Sequence, residues 1–236
     1  MQVLLIRHAE SLNNQLVTQT PFAEYLRTRT PDPPLSDRGE AQAELLGRYL
    51  GKGETGIDEL FASPMLRAVQ TVRPTAETLG LRPKLWIALH EDGGMFTGDP
   101  RSADGAIGHP GLTRAEFERD HPGIDLVDDV TETGWWTVGW ETQAASQGRA
   151  LLVAAELRDR AERERAEGVD TTIGLVSHGV FLDFLLKALF GRLPDRSMAF
   201  ALNNTGLSLV DLRRSDRAFL RYLNRTEHLP PDLITE

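Results

Sequence analysis

Two stretches of the sequence decide the expected fold: QVLLIRH at residues 2–8 and TTIGLVSH at residues 171–178. Each is a short apolar run that ends directly at a polar pair containing a histidine. An apolar run of this length is too short for a helix and is typical of a buried strand. We therefore predict strands over 2–6 and 171–177, with His8 and His178 at equivalent places just beyond their carboxyl ends.

Outward from these two stretches, predicted strands and helices alternate along the chain. The other predicted elements are a helix over 37–50 capped by Ser36, a strand over 58–63, a helix from Pro64 to Leu79, a strand over 84–89, helices over 142–167 and 180–190, and a strand over 206–212. This alternation predicts an α/β fold, namely a three-layer α/β/α sandwich with a mostly parallel central sheet. We expect residues 1–236 to form a single domain.

The segment 93–140 differs from the rest because it is rich in Gly, Pro and Asp and has weak periodicity. A short helical stretch is predicted near 112–120. We predict that the segment is an inserted lid that sets substrate choice. Its three tryptophans, Trp135, Trp136 and Trp140, either pack the insert onto the main domain, which we favour slightly, or line a substrate pocket.

Composition limits the classes of function. The chain has 236 residues, no cysteine and a net charge of −9. The absence of cysteine excludes disulfides, thiolate metal sites and thiol nucleophiles. The acidic balance argues against nucleic-acid binding. No signal peptide or membrane-spanning run is recognised, so we expect a cytoplasmic protein that does not bind membranes. The sequence does not predict the oligomeric state.

Polar residues follow four of the predicted strands. They are Arg7-His8, Ser63 with Arg67, His90-Glu91 and Ser177-His178. Ligands of open α/β sheets bind beyond the carboxyl ends of the strands, so these groups are expected to converge on one pocket. Asn204 and Thr205 precede the last predicted strand, where either a turn or a polar contribution to the pocket fits.

Two histidines with two arginines suit phosphoryl transfer. A neutral imidazole nitrogen can attack phosphorus and form a phosphohistidine, which divides one difficult displacement into two easier ones. The reaction otherwise needs positioning and positive charge around the phosphoryl oxygens. Arg7 and Arg67 can supply planar donors, and a doubly protonated His178 can add a third cation.

Four motifs resemble those of the histidine phosphatase (phosphoglycerate mutase-like) superfamily, branch 1. They are LLIRHAESLNN at 4–14, PLSDRGEAQA at 34–43, FASPMLRAVQT at 61–71 and LVSHGVF at 175–181. The motifs occur in the family's order and extend over residues 4–181, so together they are far more specific than any one of them. The resemblance implies a phosphatase that acts on a small phosphorylated substrate.

The resemblance also implies roles for individual residues. His8 matches the nucleophile that becomes phosphorylated. Arg7, Arg67 and His178 match the phosphate pocket, and Asn14 matches a further donor to it. Glu91 lies where the family carries its general acid and base. A carboxyl beside a bound dianion has a raised pKa, so it can protonate the leaving oxygen and later activate water. Asp92 is a rival acid, and His90 is expected to be only a neighbour.

The sequence departs from the family pattern at two places. Ala9 stands where the family usually has Gly, which would cost about 1 kcal/mol if the backbone there needs a positive φ. The stretch after Glu91 reads DGGMF and lacks the run typical of cofactor-dependent phosphoglycerate mutases. We therefore favour a phosphatase that needs no cofactor and no metal. The main alternative is such a mutase, which would need 2,3-bisphosphoglycerate to prime His8.

Three further alternatives remain open. Ser177 lies in a stretch that partly resembles the nucleophile elbow of serine hydrolases, but Leu175 breaks the motif. His8-Ala9-Glu10 and His90-Glu91-Asp92 contain metal-ligand residue types without a recognised metal-binding spacing. A relative that binds phosphorylated ligands without turning them over is also conceivable.

Overall fold

The computed structural model describes residues 1–53, 56–101, 105–214 and 217–236. Its strands are β1 (Gln2–Arg7), β2 (Glu59–Ala62), β3 (Lys84–Leu85), β4 (Phe96–Gly98), β5 (Ala106–Gly108), β6 (Thr172–Ser177), β7 (Leu207–Asp211) and β8 (Phe219–Arg225). Its helices are α1 (Leu12–Gln19), α2 (Phe22–Thr28), α3 (Asp37–Leu50), α4 (Leu66–Leu79), α5 (Arg114–Asp120), α6 (Gln143–Glu167) and α7 (Gly179–Leu189). Within the described ranges, no helix is both long enough and apolar enough to cross a membrane.

The central sheet has six strands in the order β3-β2-β6-β1-β7-β8. β3, β2, β6 and β1 run parallel, whereas β7 and β8 add two antiparallel pairings at one side. β1 and β6 are neighbours in the middle of the sheet, with Arg7 opposite Ser177. The predicted mostly parallel sheet is confirmed, and its register places the residues after β1 and β6 side by side.

Alternate residues of β1 belong to two different cores. Val3 and Leu5 are buried in a cluster with residues of α6 and α7. Leu4 and Ile6 are buried in a second cluster with residues of α3 and α4. Each of these side chains contributes about 1.5–3 kcal/mol through burial. The sheet therefore has helices on both faces, which confirms the predicted three-layer α/β/α sandwich.

Helix α3 supports the loop that follows β1. Its predicted N-cap is confirmed, because the Ser36 hydroxyl accepts a hydrogen bond from the Gly39 N–H at 3.0 Å. A side chain at Gly39 would not fit, since a Cβ there would lie 1.9 Å from the Glu10 carbonyl oxygen. The Glu10 carboxylate in turn accepts the Ser36 hydroxyl at 2.6 Å and pairs with Arg38 at 2.9 Å. Glu10 is thus a structural anchor between this loop and α3.

Two predicted element boundaries are wrong. The strand predicted over 84–89 ends at Leu85, and a 3-10 turn occupies Ile87–Leu89. The chain turns there because Arg149 of α6 donates to the carbonyl oxygens of Ala88 and His90, which are therefore unavailable to a strand ladder. The helix predicted to begin at Pro64 begins at Leu66 instead.

Five elements were not predicted from the sequence: α1, α2, β4, β5 and β8. The sequence of α1 is LNNQLVTQ, which has little apolar periodicity, and the helix depends instead on a capping box between Ser11 and Asn14. β8 lies at an edge of the sheet and is mostly half-buried or exposed, so it lacks a continuous apolar pattern.

The segment 93–140 contains the β4–β5 hairpin and α5, close to the helical stretch predicted at 112–120. Trp135 and Trp136 are buried in the same cluster as residues of α3 and α4, which confirms the packing interpretation for these two. Trp140 is 39% exposed. The role of this segment as a lid stays a prediction.

Candidate active site

The register of the sheet brings His8 and His178 together. The backbone N–H of His8 donates to the Ser177 carbonyl at 2.8 Å, which continues the β1–β6 ladder by one residue. The two imidazole rings are 5.0 Å apart between centroids. Both histidines are buried, with 3% of His8 and 0% of His178 exposed. The histidines at equivalent strand ends are therefore neighbours, as the sequence predicted.

The hydrogen bonds of His8 determine which ring nitrogen carries the proton. Arg67 Nε lies 3.1 Å from His8 Nε2. Arginine is only a donor, so Nε2 must be the acceptor and must hold a lone pair. The proton is then on Nδ1, which lies 2.7 Å from the Ala9 carbonyl oxygen and donates to it. This is the tautomer that a nucleophile attacking through Nε2 requires.

The loop that carries His8 is held from two sides. Asn204 Nδ2 donates to the His8 carbonyl at 2.9 Å, and the Ala9 N–H donates to the Thr71 hydroxyl at 2.9 Å. Thr205 has a positive φ of 56°. The Asn204-Thr205 pair therefore forms the expected turn, and Asn204 supports the site by holding the backbone of His8. Ala9 has no positive φ, so the expected conformational cost does not arise.

The electrostatic surroundings keep both histidines neutral. Burial is the main reason that the pKa of His8 lies well below 6.5, and the positive charges of Arg67 and Arg7 lower it further. Burial, Arg67 and His8 likewise hold the pKa of His178 well below 6.5. A neutral His8 is reactive at neutral pH. The expectation of a doubly protonated His178 holds only if a phosphate dianion raises its pKa.

His178 is tied to the end of β2 through Ser63. Its Nε2 lies 2.7 Å from the Ser63 hydroxyl oxygen. Its Nδ1 is buried and has no hydrogen-bond partner among the described residues. Ser63 was noted at a strand end in the sequence, but it was not assigned a role. In the structure it orients His178.

Glu91 lies at the amino end of α7. One carboxylate oxygen accepts the N–H groups of Asp92 and Phe181, each at 2.9 Å, and the other accepts the N–H of Val180 at 3.4 Å. These three donors hold the carboxylate in a fixed position at the amino end of α7.

Five of the six predicted site residues line one small pocket of about 140 Å³. They are Arg7, His8, Asn14, Arg67 and Glu91. Asn14 uses its amide oxygen to accept the Ser11 N–H at 3.0 Å, so its amide nitrogen is the part that can donate to a phosphate. His178 contacts His8 but is not one of the residues that line this pocket within the described ranges.

Arg29 and Tyr25 also line this pocket, and sequence analysis missed both. Arg29 follows α2, and its guanidinium lies over the Phe96 ring at 4.4 Å and the Tyr25 ring at 5.6 Å. Its Nε is buried and has no hydrogen-bond partner in the described part of the chain. The pocket therefore has a third arginine beside Arg7 and Arg67.

A comparison with models of known protein families identifies the family of the chain. The family model of the histidine phosphatase superfamily (branch 1) matches residues 3–225. The chain belongs to this superfamily. Phosphoserine phosphatase 1 of Hydrogenobacter thermophilus is 26% identical over 230 residues, which cover 97% of this chain and 94% of that protein.

Two further proteins are similar to this histidine phosphatase. Ubiquitin-associated and SH3 domain-containing protein A of Homo sapiens is 28% identical over 179 residues. The match covers 72% of this chain but only 24% of that longer protein. The fold is shared with the crystal structure of a phosphoserine phosphatase mutant from Entamoeba histolytica in complex with phosphoserine. That structure has a TM-score of 0.62 at 20% identity, with 97% of this chain and 99% of that chain covered.

The residues beside Glu91 differ from it in their surroundings. Asp92 also lines the small pocket, but its carboxylate pairs with Arg196 at 2.7 Å. Burial and the nearby Glu91 raise the pKa of Asp92. His90 Nδ1 donates to the Ile87 carbonyl oxygen at 2.7 Å, and the ring packs edge-on against Trp136. His90 therefore has a structural role beside Glu91, in agreement with the expectation that it is only a neighbour.

The alternative chemistries find little support in the geometry. The Ser177 hydroxyl is fully buried and donates to the Leu89 carbonyl at 2.7 Å, while His178 is engaged with Ser63 instead. Ser177 thus lacks the histidine base that a serine nucleophile needs. Among the described residues, no group of three or more His, Cys, Asp or Glu side chains could hold a metal ion.

Proposed function

We propose that this histidine phosphatase hydrolyses a small phosphate monoester through a phosphohistidine on His8, without a metal or cofactor. The observation that carries the proposal is the hydrogen bond from Arg67 Nε to His8 Nε2 at 3.1 Å. Because Arg67 donates this bond, His8 Nε2 is unprotonated and has a lone pair that can attack phosphorus. The nucleophilic nitrogen and a phosphate-binding cation therefore meet at the same point. A phosphoryl group bound by Arg67 would be close to the atom that attacks it.

In the first step, His8 Nε2 attacks phosphorus in line with the bond to the leaving oxygen. Glu91, protonated beside the substrate dianion, gives its proton to that oxygen as the P–O bond breaks. Arg7, Arg67 and Asn14 donate hydrogen bonds to the equatorial oxygens of the phosphoryl group. His178, once protonated beside the phosphate, stabilises the negative charge of these oxygens. The products of this step are the free alcohol, an ionised Glu91 and a phosphoryl group on Nε2.

In the second step, water attacks the phosphohistidine. The ionised Glu91 removes a proton from this water, and the P–N bond breaks to restore the lone pair on His8. Inorganic phosphate then leaves. The hydrogen bond from the Phe181 N–H at the amino end of α7 keeps the Glu91 carboxylate in position for this step. A mutase would instead return the phosphoryl group to a bound acceptor before water reaches it.

Turnover of p-nitrophenyl phosphate in EDTA tests the proposal, with His8→Ala as the decisive variant. We expect phosphate release by the wild type and none above background by His8→Ala. His121→Asn is a matched control, since His121 directly follows α5 and lies outside the site. Equal turnover in His8→Ala would refute the mechanism. Isomerisation of 3-phosphoglycerate faster than phosphate release would favour the mutase. Binding of phosphate without any turnover would favour a non-catalytic relative.

The cytoplasmic location inferred from the sequence and the absence of nucleic-acid binding also stay proposals. Cell fractionation tests the first, and a gel-shift assay with single- and double-stranded DNA and RNA tests the second.

A further inference from the structure

A second and larger pocket adjoins the phosphate pocket. It has a volume of about 530 Å³, and it shares Arg7 and Glu91 with the smaller one. Its other walls are formed by the first turns of α7 and by the segment 196–202. Within the described ranges, none of its lining residues belongs to the segment 93–140, where the sequence placed substrate choice.

The exposed surface of this pocket is largely apolar. Val180 and Met198 line it and are 37% and 39% exposed, although both are large hydrophobic residues. Phe200 and Leu202 add further apolar wall. Apolar side chains that stay in contact with water inside a concave site are typical of a surface that a ligand covers.

Apart from Arg7, which it shares with the phosphate pocket, the charged groups of the larger pocket are already paired or acidic. Asp183 pairs with Lys187 at 2.6 Å, and Arg196 pairs with Asp92 at 2.7 Å. Glu236 also lines the pocket and is close enough to Arg7 to act on its charge. Away from Arg7, an anionic ligand group would therefore meet acids here, and Arg196 would have to give up its pairing with Asp92.

The wall of the pocket is fixed to α7 by a buried ion pair. Lys187 is 1% exposed and donates to the carbonyl oxygens of Asp195 and Met198 at 2.6 and 2.5 Å. Asp183 accepts the N–H of Phe200 at 2.8 Å. These bonds hold the segment 195–200 in place, so the pocket is formed before a ligand binds, and binding need not order the segment.

The position of Glu91 indicates which part of a substrate binds in the larger pocket. In the proposed reaction, the leaving oxygen lies next to Glu91 and on the side of phosphorus away from His8. Since Glu91 lines both pockets, the leaving oxygen lies where they join. We propose that the larger pocket binds the leaving alcohol and selects one with a bulky, uncharged, apolar body, so that the substrates are alkyl or aryl phosphates rather than phosphorylated carboxylic acids.

This inference rests on the proposed function, and a homologous series tests it. Ethyl, butyl and hexyl phosphate have leaving alcohols of nearly equal acidity, so they differ mainly in apolar surface. We expect kcat/KM to rise about two- to fourfold for each added methylene that the pocket buries. Phosphoserine and 3-phosphoglycerate, whose leaving alcohols carry a carboxylate, should be poorer substrates than butyl phosphate.

Three variants locate the effect. Met198→Gln and Val180→Thr replace apolar surface with polar groups of similar size and should flatten the dependence on chain length. Leu193→Gln is the matched control, because Leu193 is 75% exposed between α7 and the pocket wall but does not line the pocket. The control should keep the slope of the wild type.

Binding of alkylphosphonates separates this inference from the proposed function, because these probes are not hydrolysed. Affinity that rises with chain length in the wild type, and less so in Met198→Gln, would support the apolar pocket even if no phosphate were released. The inference would be overturned, and the proposed function left intact, if the protein hydrolysed p-nitrophenyl phosphate but neither kcat/KM of the alkyl phosphates nor the affinity for alkylphosphonates changed with chain length. A slope that stays the same in Met198→Gln and Val180→Thr would also overturn it.

Discussion

Replacing Glu91 with Gln removes a transferable proton while keeping the shape of the side chain. The amide oxygen of Gln can still accept the two N–H groups that Glu91 accepts at 2.9 Å, from Asp92 and Phe181. Only the longest bond, from Val180 at 3.4 Å, would meet an amide nitrogen instead of an oxygen. The expected loss of folding free energy is therefore only about 1 kcal/mol.

The catalytic effect of Glu91→Gln should depend on the leaving group. A general acid contributes about 10²–10⁴ in rate when the leaving oxygen needs a proton. For ethyl phosphate, we expect kcat/KM to fall by about this factor. For p-nitrophenyl phosphate, the leaving phenolate is stable without a proton, so kcat/KM should fall less than about tenfold. Its kcat should fall further, because hydrolysis of the phosphohistidine still needs Glu91 as base.

Steady-state kinetics with both substrates, together with thermal unfolding as a check of folding, measures this difference. Asp92→Asn is the matched control, since Asp92 is the neighbouring acid and is paired with Arg196. Equal losses of kcat/KM for the two substrates would refute a role for Glu91 as acid toward the leaving oxygen. A selective loss in Asp92→Asn instead of Glu91→Gln would assign that role to Asp92.

Three further predictions concern charges outside the motifs. Arg29→Ala should weaken the binding of inorganic phosphate about tenfold, because a charged donor is lost; unchanged affinity in calorimetry would place Arg29 outside the phosphate site. Lys187→Met should lower the free energy of unfolding by about 3–5 kcal/mol, since Asp183 is left as an unpaired buried charge. Denaturant unfolding should show partial recovery in Lys187→Met/Asp183→Leu, which still lacks the bonds to Asp195, Met198 and Phe200, and a double variant no more stable than Lys187→Met would contradict this cause. Burial lowers the pKa of His228 to about 4, so between pH 6.5 and 4 this histidine is protonated in the unfolded chain but not in the folded one. The free energy of unfolding should therefore fall by up to about 3 kcal/mol as the pH falls over this range. The loss should be smaller in His228→Gln, and an equal loss would exclude His228 as its source.

The centre of the fold could be predicted because its signal is local. The apolar runs before His8 and His178 are continuous, and both strands are buried along nearly their whole length. Parallel strands place their carboxyl ends at one edge, so the sequence could also predict that the two histidines meet there. The helix cap at Ser36 is equally local and was found at the expected place.

The parts that were missed depend on contacts between distant residues. Arg29 reaches the pocket because α2 packs close to β4, and its guanidinium lies over Phe96, 67 positions further along the chain. The strand predicted through residue 89 ends early because Arg149 captures two carbonyl groups there. Secondary-structure propensity and the periodicity of apolar residues cannot predict either contact, because both describe only residues that are close in sequence.

The larger pocket could not be predicted from the sequence either. Its walls come from α7 and the segment 196–202, and the latter has no strand or helix pattern. What holds this segment is the Asp183–Lys187 pair, which in the sequence is an ordinary i,i+4 pair on a helix. Only the structure shows that Lys187 is buried and faces the carbonyl groups of the segment.

Trapping the covalent intermediate tests the central claim most directly. The wild type would be mixed with p-nitrophenyl phosphate, denatured in alkali within milliseconds, and mapped by mass spectrometry, since phosphohistidine is labile in acid but survives in alkali. The mechanism predicts a phosphoryl group on His8 in the wild type, more of it in Glu91→Gln, and none in His8→Ala. Turnover without any phosphoryl group on His8, or with the group on another residue, would contradict it.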